Sequence, residues 1–295
     1  MIFRSKNFFL LFFLLFTFFA ATAQDGYEIS IKINNYDQTQ CYLGYFYGDK
    51  QYLKDTAQVD SEGKFVFKGE KPLDAGVYMV VLPPDNQFFQ VLVNDNEQHF
   101  GIETNYKDLT GEVKITDSKD NQLFYEYLSF LTEQRPIAES LRKSIEEAAD
   151  DAKKKEKFEE KLSKLDESVF AFQRELVAKN PNSLTAAIIR SNTPVTIPEF
   201  SGKDEEIQLK KWYYSKQHYF DNIDLTDPRM VRTPFLYQKV THFIEKLTVQ
   251  HPDSINQSID AVLKQMEKAD DTYKYYLVHF LNEYAKSKIV GFDAV

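Results

Sequence analysis

One cysteine, Cys41, stands in 295 residues. A lone thiol cannot close an internal disulfide or form a Cys-x-x-Cys redox pair, so the sequence excludes dithiol chemistry by this chain alone. Glycine is sparse, at ten residues, and no phosphate-cradling glycine loop or Gly-x-Ser-x-Gly elbow occurs. The five histidines, His99, His218, His242, His251 and His279, include no pair spaced i,i+4 for a helical zinc site. No long run of one charge sign exists, and the formal charge of −9 argues against a nucleic-acid binder. The 45 acidic residues promote solubility; as a population they nominate no pair of carboxylates poised across a cleft.

Aromatic residues are plentiful, with 25 Phe and 18 Tyr, and the hydrophobic fraction of 43% excludes a disordered chain. The first residues, MIFRSKNFFLLFFLLFTFFAATAQ, place Arg4 and Lys6 before an apolar run from Phe8 to Phe19 and the small residues Ala21-Thr22-Ala23. Those three parts make a secretory signal peptide, residues 1–23, with cleavage expected after Ala23. The run is short for a membrane span of ~20 residues. Membrane contact is therefore expected only through the uncleaved signal segment, and the protein is expected in the periplasm or cell envelope. Cleavage removes two positive charges and takes the formal charge from −9 to −11.

Residues 27–33, YEISIKI, alternate apolar and polar, the period of a half-buried strand. Further strand patterns cover 41–47, 64–67, 77–82, 88–93, 100–104 and 112–116. Turn formers separate them, including Asp60-Ser61-Glu62-Gly63 and Pro83-Pro84-Asp85-Asn86. The expectation is an antiparallel, immunoglobulin-like β-sandwich over residues 24–117. Cys41 alternates with Leu43 and Tyr45 and reads as a buried thiol acting as a small hydrophobe.

From Asp117-Ser118, potential helix caps, the period becomes helical, with Leu123, Phe124, Tyr127, Leu128 and Leu131 on one stripe. Pro136 is expected to interrupt that helix or to start the next. A second stripe, Phe158, Leu162, Leu165, Val169, Phe172 and Leu176, has coiled-coil-like spacing. Asp150 and Asp151 precede Lys154 and Lys155 at the supportive i,i+4 separation, on what reads as a solvated surface or turn. Residues 118–192 thus form a long helical segment or hairpin, and residues 193–295 a helical domain. The fold class is a β-sandwich followed by a helical bundle.

The stretch WYYSKQHYF holds Trp212, Tyr213, Tyr214, Tyr219 and Phe220. Large aromatics of this kind either fill a core or form a partner-contact surface. Trp212, Tyr213 and Tyr214 are the candidate contact residues. His218, inside that stretch, and His242, beside an apolar face, read as structural histidines. No catalytic residue, metal ligand or cofactor-binding residue emerges from the sequence.

LKDTAQVDSEGKFVFKG (53–69) resembles the hairpin of a small β domain at the N-terminus of exported thioredoxin-like proteins of Bacteroidota. FGIETNYKDLTGEVKITDSKDNQLFYEYLSFL (100–131) resembles the junction where that domain passes into helices. DPRMVRTPFLYQKVTHFIEKLTVQHPDSI (227–255) and SKIVGFDAV (287–295) resemble the helical domain of unknown function that follows. In such proteins a segment like SKIVGFDAV continues into a thioredoxin-like domain of the AhpC/TSA and TlpA type, which carries the Cys-x-x-Cys. The resemblance implies that the helical domain is truncated at its C-terminus and that this chain is the non-catalytic N-terminal region of an envelope thiol-disulfide oxidoreductase. Its partner would be a thioredoxin-like redox domain, in cis or in trans, or another envelope protein. The alternative is a free-standing exported binding module with its contact surface around Trp212.

Overall fold

The computed structural model describes residues 26–148 and 151–286. The signal segment, Asp150 and the C-terminal SKIVGFDAV from Ser287 lie outside the described residues. Among the described residues eight strands come first: β1 (Tyr27–Asn34), β2 (Gln40–Tyr47), β3 (Lys50–Gln58), β4 (Lys64–Gly69), β5 (Gly76–Leu82), β6 (Gln87–Val93), β7 (His99–Asn105) and β8 (Lys114–Thr116). They form two four-stranded sheets, ordered β4-β1-β7-β8 and β3-β2-β5-β6. The expectation of a wholly antiparallel arrangement is corrected at one pair. β1 and β7 run parallel, Ile29 opposite Phe100 and Ile31 opposite Ile102, while the remaining neighbours are antiparallel.

Alternation explains the core of this part. Ile29, Ile31, Phe65, Phe67, Phe100 and Ile102 from one sheet are buried with Cys41, Leu43, Val80, Leu82, Phe89 and Val91 from the other. β5 departs from the alternation, with six of its seven residues buried, because its outer face is covered as well. Gly76 explains how closely: a Cβ there would lie 2.5 Å from the Cβ of Arg232, in the helical part. β3 is the strand the sequence pattern misses. It is an edge strand exposed along most of its length, so no hydrophobic period marks it.

Seven α-helices follow among the described residues: α1 (Lys119–Glu147), α2 (Ala152–Lys179), α3 (Leu184–Asn192), α4 (Asp204–Gln217), α5 (Pro234–His242), α6 (Pro252–Met266) and α7 (Asp270–Tyr284). A 3-10 turn spans Met230–Arg232, and a π turn, Phe243–Leu247, continues α5. The chain thus has a β part followed by a helical part. Ser118 caps α1, its Oγ accepting from Asn121 N. α1 runs through Pro136, which neither ends it nor starts another helix. Asp151 does not pair with Lys155; its carboxylate caps α2 by accepting from Lys154 N at 3.1 Å, and Lys155 reaches Glu159 instead. α1 and α2 pack as a hairpin, with Phe130 stacked on Phe172 at 4.0 Å and Tyr127, Leu131 and Leu176 along the seam.

The two parts interlock. The edge of β6 is covered by α1: Asn121 accepts from Leu92 N and donates to Leu92 O, at 2.8 and 2.7 Å, as a neighbouring strand would. Tyr125 donates to Gln90 O at 2.8 Å. Asp120, buried at 4% exposure, accepts from Asn94 Nδ2 (2.7 Å), Leu184 N (2.6 Å), Thr185 N (3.0 Å) and Thr185 Oγ1 (2.5 Å). That one carboxylate joins α1, the turn after β6 and the N-terminus of α3, where the helix dipole favours negative charge. On another side, the β2–β3 turn docks on α7. Gly48 donates to Val231 O, and Tyr275 Oη donates to Asp49 Oδ1 while accepting from Asp49 N. Arg232 reaches Asp271 at 2.7 Å and sits over the Tyr47 ring. One continuous core accordingly runs from the sheets into α5, α6 and α7.

Candidate functional site

α4 carries the aromatic stretch singled out in the sequence. Asp204, Glu205 and Glu206 occupy its first turn, where acidic groups suit the positive end of the helix dipole. Not one α4 residue is buried. Core packing therefore does not account for Trp212, Tyr213 and Tyr214, and of the five aromatics named from sequence Phe220 is the buried one. Tyr213 is 59% exposed. Its ring meets Trp212 edge-on at 4.9 Å, while Tyr214 stacks on His218 at 4.1 Å and tilts against Phe200 at 6.0 Å. Lys216 ties the helix to the core, its Nζ 5.8 Å from the Trp212 ring and 5.7 Å from Phe243; burial pushes its pKa down. Tyr219 and Phe220 turn inward onto Phe243.

Two grooves meet beside α4. The larger, about 660 Å³, lies among α2, α3 and the end of α4, with Phe170, Gln173, Arg174, Val177, Ile189 and Tyr214 along it. The smaller, about 490 Å³, runs toward α5 past Tyr219, Gln238, Lys239 and His242. Both are lined by Thr193, Pro194, Val195 and Asn222. Tyr214 lines the first, whereas Trp212 and Tyr213 line neither, so the three candidate contact residues face different surroundings. The 193–198 stretch has no local signal beyond its two prolines, Pro194 and Pro198. Its neighbours come from helices distant along the chain, which no local spacing reveals.

The chemistry of the histidines is modest. His218 Nδ1 lies 2.7 Å from Asp221 Oδ2 at the C-terminus of α4, and no hydroxyl or thiol among the described residues bonds to that pair. His242 stacks on Tyr219 at 5.9 Å. His279 is packed among Tyr237, Tyr275, Tyr276 and Phe280, and burial lowers its pKa. Cys41 is fully buried, and burial pushes its thiol up to about 12. Among the described residues no three His, Cys, Asp or Glu side chains are grouped to hold a metal ion. No described helix is long and apolar enough to cross a membrane.

Comparison with known proteins gives two matches. Residues 27–124 match a family model described as a domain of unknown function (DUF4369), and residues 151–288 match one described as a domain of unknown function (DUF5106). No curated protein and no solved structure matches the chain. The first match runs past the last strand and ends inside α1, so it takes in Asp120, Asn121 and Phe124, the residues buried at the junction. The second covers the described helices from α2 to α7, and with them both grooves.

Proposed function

We propose that this chain is a non-catalytic region of an exported thiol-disulfide oxidoreductase, which positions a thioredoxin-like redox domain or recruits its substrates. The observation that carries the non-catalytic part is the state of Cys41. A fully buried thiol held near pKa 12 is neither accessible nor ionised at neutral pH, and it has no second cysteine to pair with. The resemblance of residues 53–69, 100–131 and 227–255 to exported thioredoxin-like proteins supports the redox context, and the signal-like N-terminus supports export to the periplasm or envelope. In this reading the β part is an immunoglobulin-like sandwich, supported by two four-stranded sheets sharing one core. Its interlock with the helical part makes the pair a spacer of fixed geometry.

A second reading, a free-standing binding module, is favoured by α4, a helix that keeps Trp212 and Tyr214 half-exposed and Tyr213 exposed. Insulin reduction by purified residues 24–295 tests the first reading. No turnover above a Cys41→Ala control is expected; turnover lost in that variant would overturn it.

A further inference from the structure

Thr193 to Pro198, TPVTIP, is tied down by its first residue, Thr193 N donating to Arg190 O at 3.0 Å, and from Pro194 on its backbone makes no hydrogen bond among the described residues. Thr193 is extended, at φ −79° and ψ 121°, and the residue before each proline is held away from the helical region, which fixes Thr193 and Ile197. Among the described residues no hydrogen bond uses the backbone N–H of Val195, Thr196 or Ile197, or the carbonyls of Pro194 through Pro198. Asn222 Nδ2 anchors the start of the stretch on Thr193 O at 3.0 Å. Thr193 and Val195 are half-buried while Pro194, Thr196, Ile197 and Pro198 are exposed, so the segment lies on the surface with its first residues seated against the helices.

Free backbone N–H and C=O groups on an exposed, proline-held segment are what another extended chain pairs with. The two grooves meeting at Thr193–Val195 supply room for alternate side chains of such a chain. The charge is complementary to an acidic partner. Arg174 and Arg190 line one groove and Lys239 the other, against the single carboxylate of Asp221 among the lining residues, and neither Arg174 nor Lys239 is in an ion pair among the described residues. This is a locally basic site on a chain of formal charge −9.

We propose that Thr193–Pro198 and its two grooves bind an extended, acidic segment of a partner protein as an added strand. The inference goes beyond the redox reading and does not depend on it, since peptide binding and insulin reduction are separate readouts.

The test is selection of short random peptides displayed on phage against residues 24–295, with counter-selection against an Arg174→Glu/Lys239→Glu double variant. Both side chains are solvent-accessible and unpaired, so the variant should melt at the parent temperature, which calorimetry checks. The enriched peptides should be acidic, and the best of them should bind the double variant about ten-fold more weakly by fluorescence anisotropy. N-methylation of alternate backbone nitrogens should abolish binding in one register and spare it in the other, because an added strand offers one edge. Thr196→Pro, which removes one exposed N–H, should weaken binding without lowering the melting temperature. Failure to enrich any peptide, enrichment of basic or amphipathic-helical sequences, equal affinity for the double variant, or indifference to N-methylation in both registers would each overturn the proposal.

Discussion

Replacing Asp120 by alanine should cost more stability than any surface change in this protein. The carboxylate accepts four hydrogen bonds at 2.5–3.0 Å, and the side chain is 4% exposed. Alanine would leave Leu184 N, Thr185 N, Thr185 Oγ1 and Asn94 Nδ2 seeking partners at once. Each buried group left unsatisfied costs about 1–3 kcal/mol. Thr185 Oγ1 retains Asp120 O at 3.1 Å, and water can reach part of the junction, where Asp120 borders a polar pocket of about 340 Å³. The net loss is then about 4 kcal/mol rather than the full sum, which for a chain of this size lowers the melting temperature by about 10 °C. Asp120→Asn should cost about as much, because either orientation of the amide turns its NH2 toward two donors that the carboxylate oxygen accepts from. Differential scanning calorimetry of residues 24–295 and the two variants is the assay. A drop of less than about 2 °C for Asp120→Ala would refute the reasoning, because the carboxylate would then not be fastening α1 to α3.

Four other outcomes rest on Gly48, Cys41 and Tyr213. Gly48→Ala should destabilise the protein by about 2 kcal/mol or more, since φ is +60° and a Cβ would lie 1.8 Å from the Tyr275 ring; urea unfolding measures it. Cys41 should resist Ellman's reagent at pH 8 in the native protein and react at once in denaturant. Because its folded pKa is raised from 9.0 to about 12, the folded state gains from the protonated thiol, and that stability is lost as pH rises from about 9 to about 12; Cys41→Ala should flatten this part of the pH–stability curve. Tyr213→Ser should change the unfolding free energy by less than about 0.5 kcal/mol, since the ring is 59% exposed on a helix with no fully buried residue. A larger loss would return that tyrosine to the core.

The elements that hydrophobic period announces are those facing a single core. β1 is legible because Ile29, Ile31 and Ile33 all point one way. β3 was invisible for the opposite reason: an exposed edge strand has no buried side to pattern. The parallel pairing of β1 with β7 joins residues about seventy positions apart and leaves no local mark. Pro136 misled because the penalty for an interior proline is a free-energy cost and not a prohibition, and α1 absorbs it at an exposed position. Aromatic content alone drew attention to Trp212, Tyr213 and Tyr214, without telling core from surface. The Thr193–Pro198 segment carried only its two prolines as a signal, and its interest lies in hydrogen bonds that are not made, which a sequence does not display.

The central claim, a non-catalytic region that works with a thioredoxin-like domain, is tested most directly by the intact mass of the protein isolated from its native cells. The account predicts either a polypeptide heavier than residues 24–295 by one domain of roughly 100–150 residues, containing a Cys-x-x-Cys, or a co-purifying protein that carries such a domain. A mass equal to that of residues 24–295, with no Cys-x-x-Cys protein bound, would contradict it and leave the free-standing binding module as the reading.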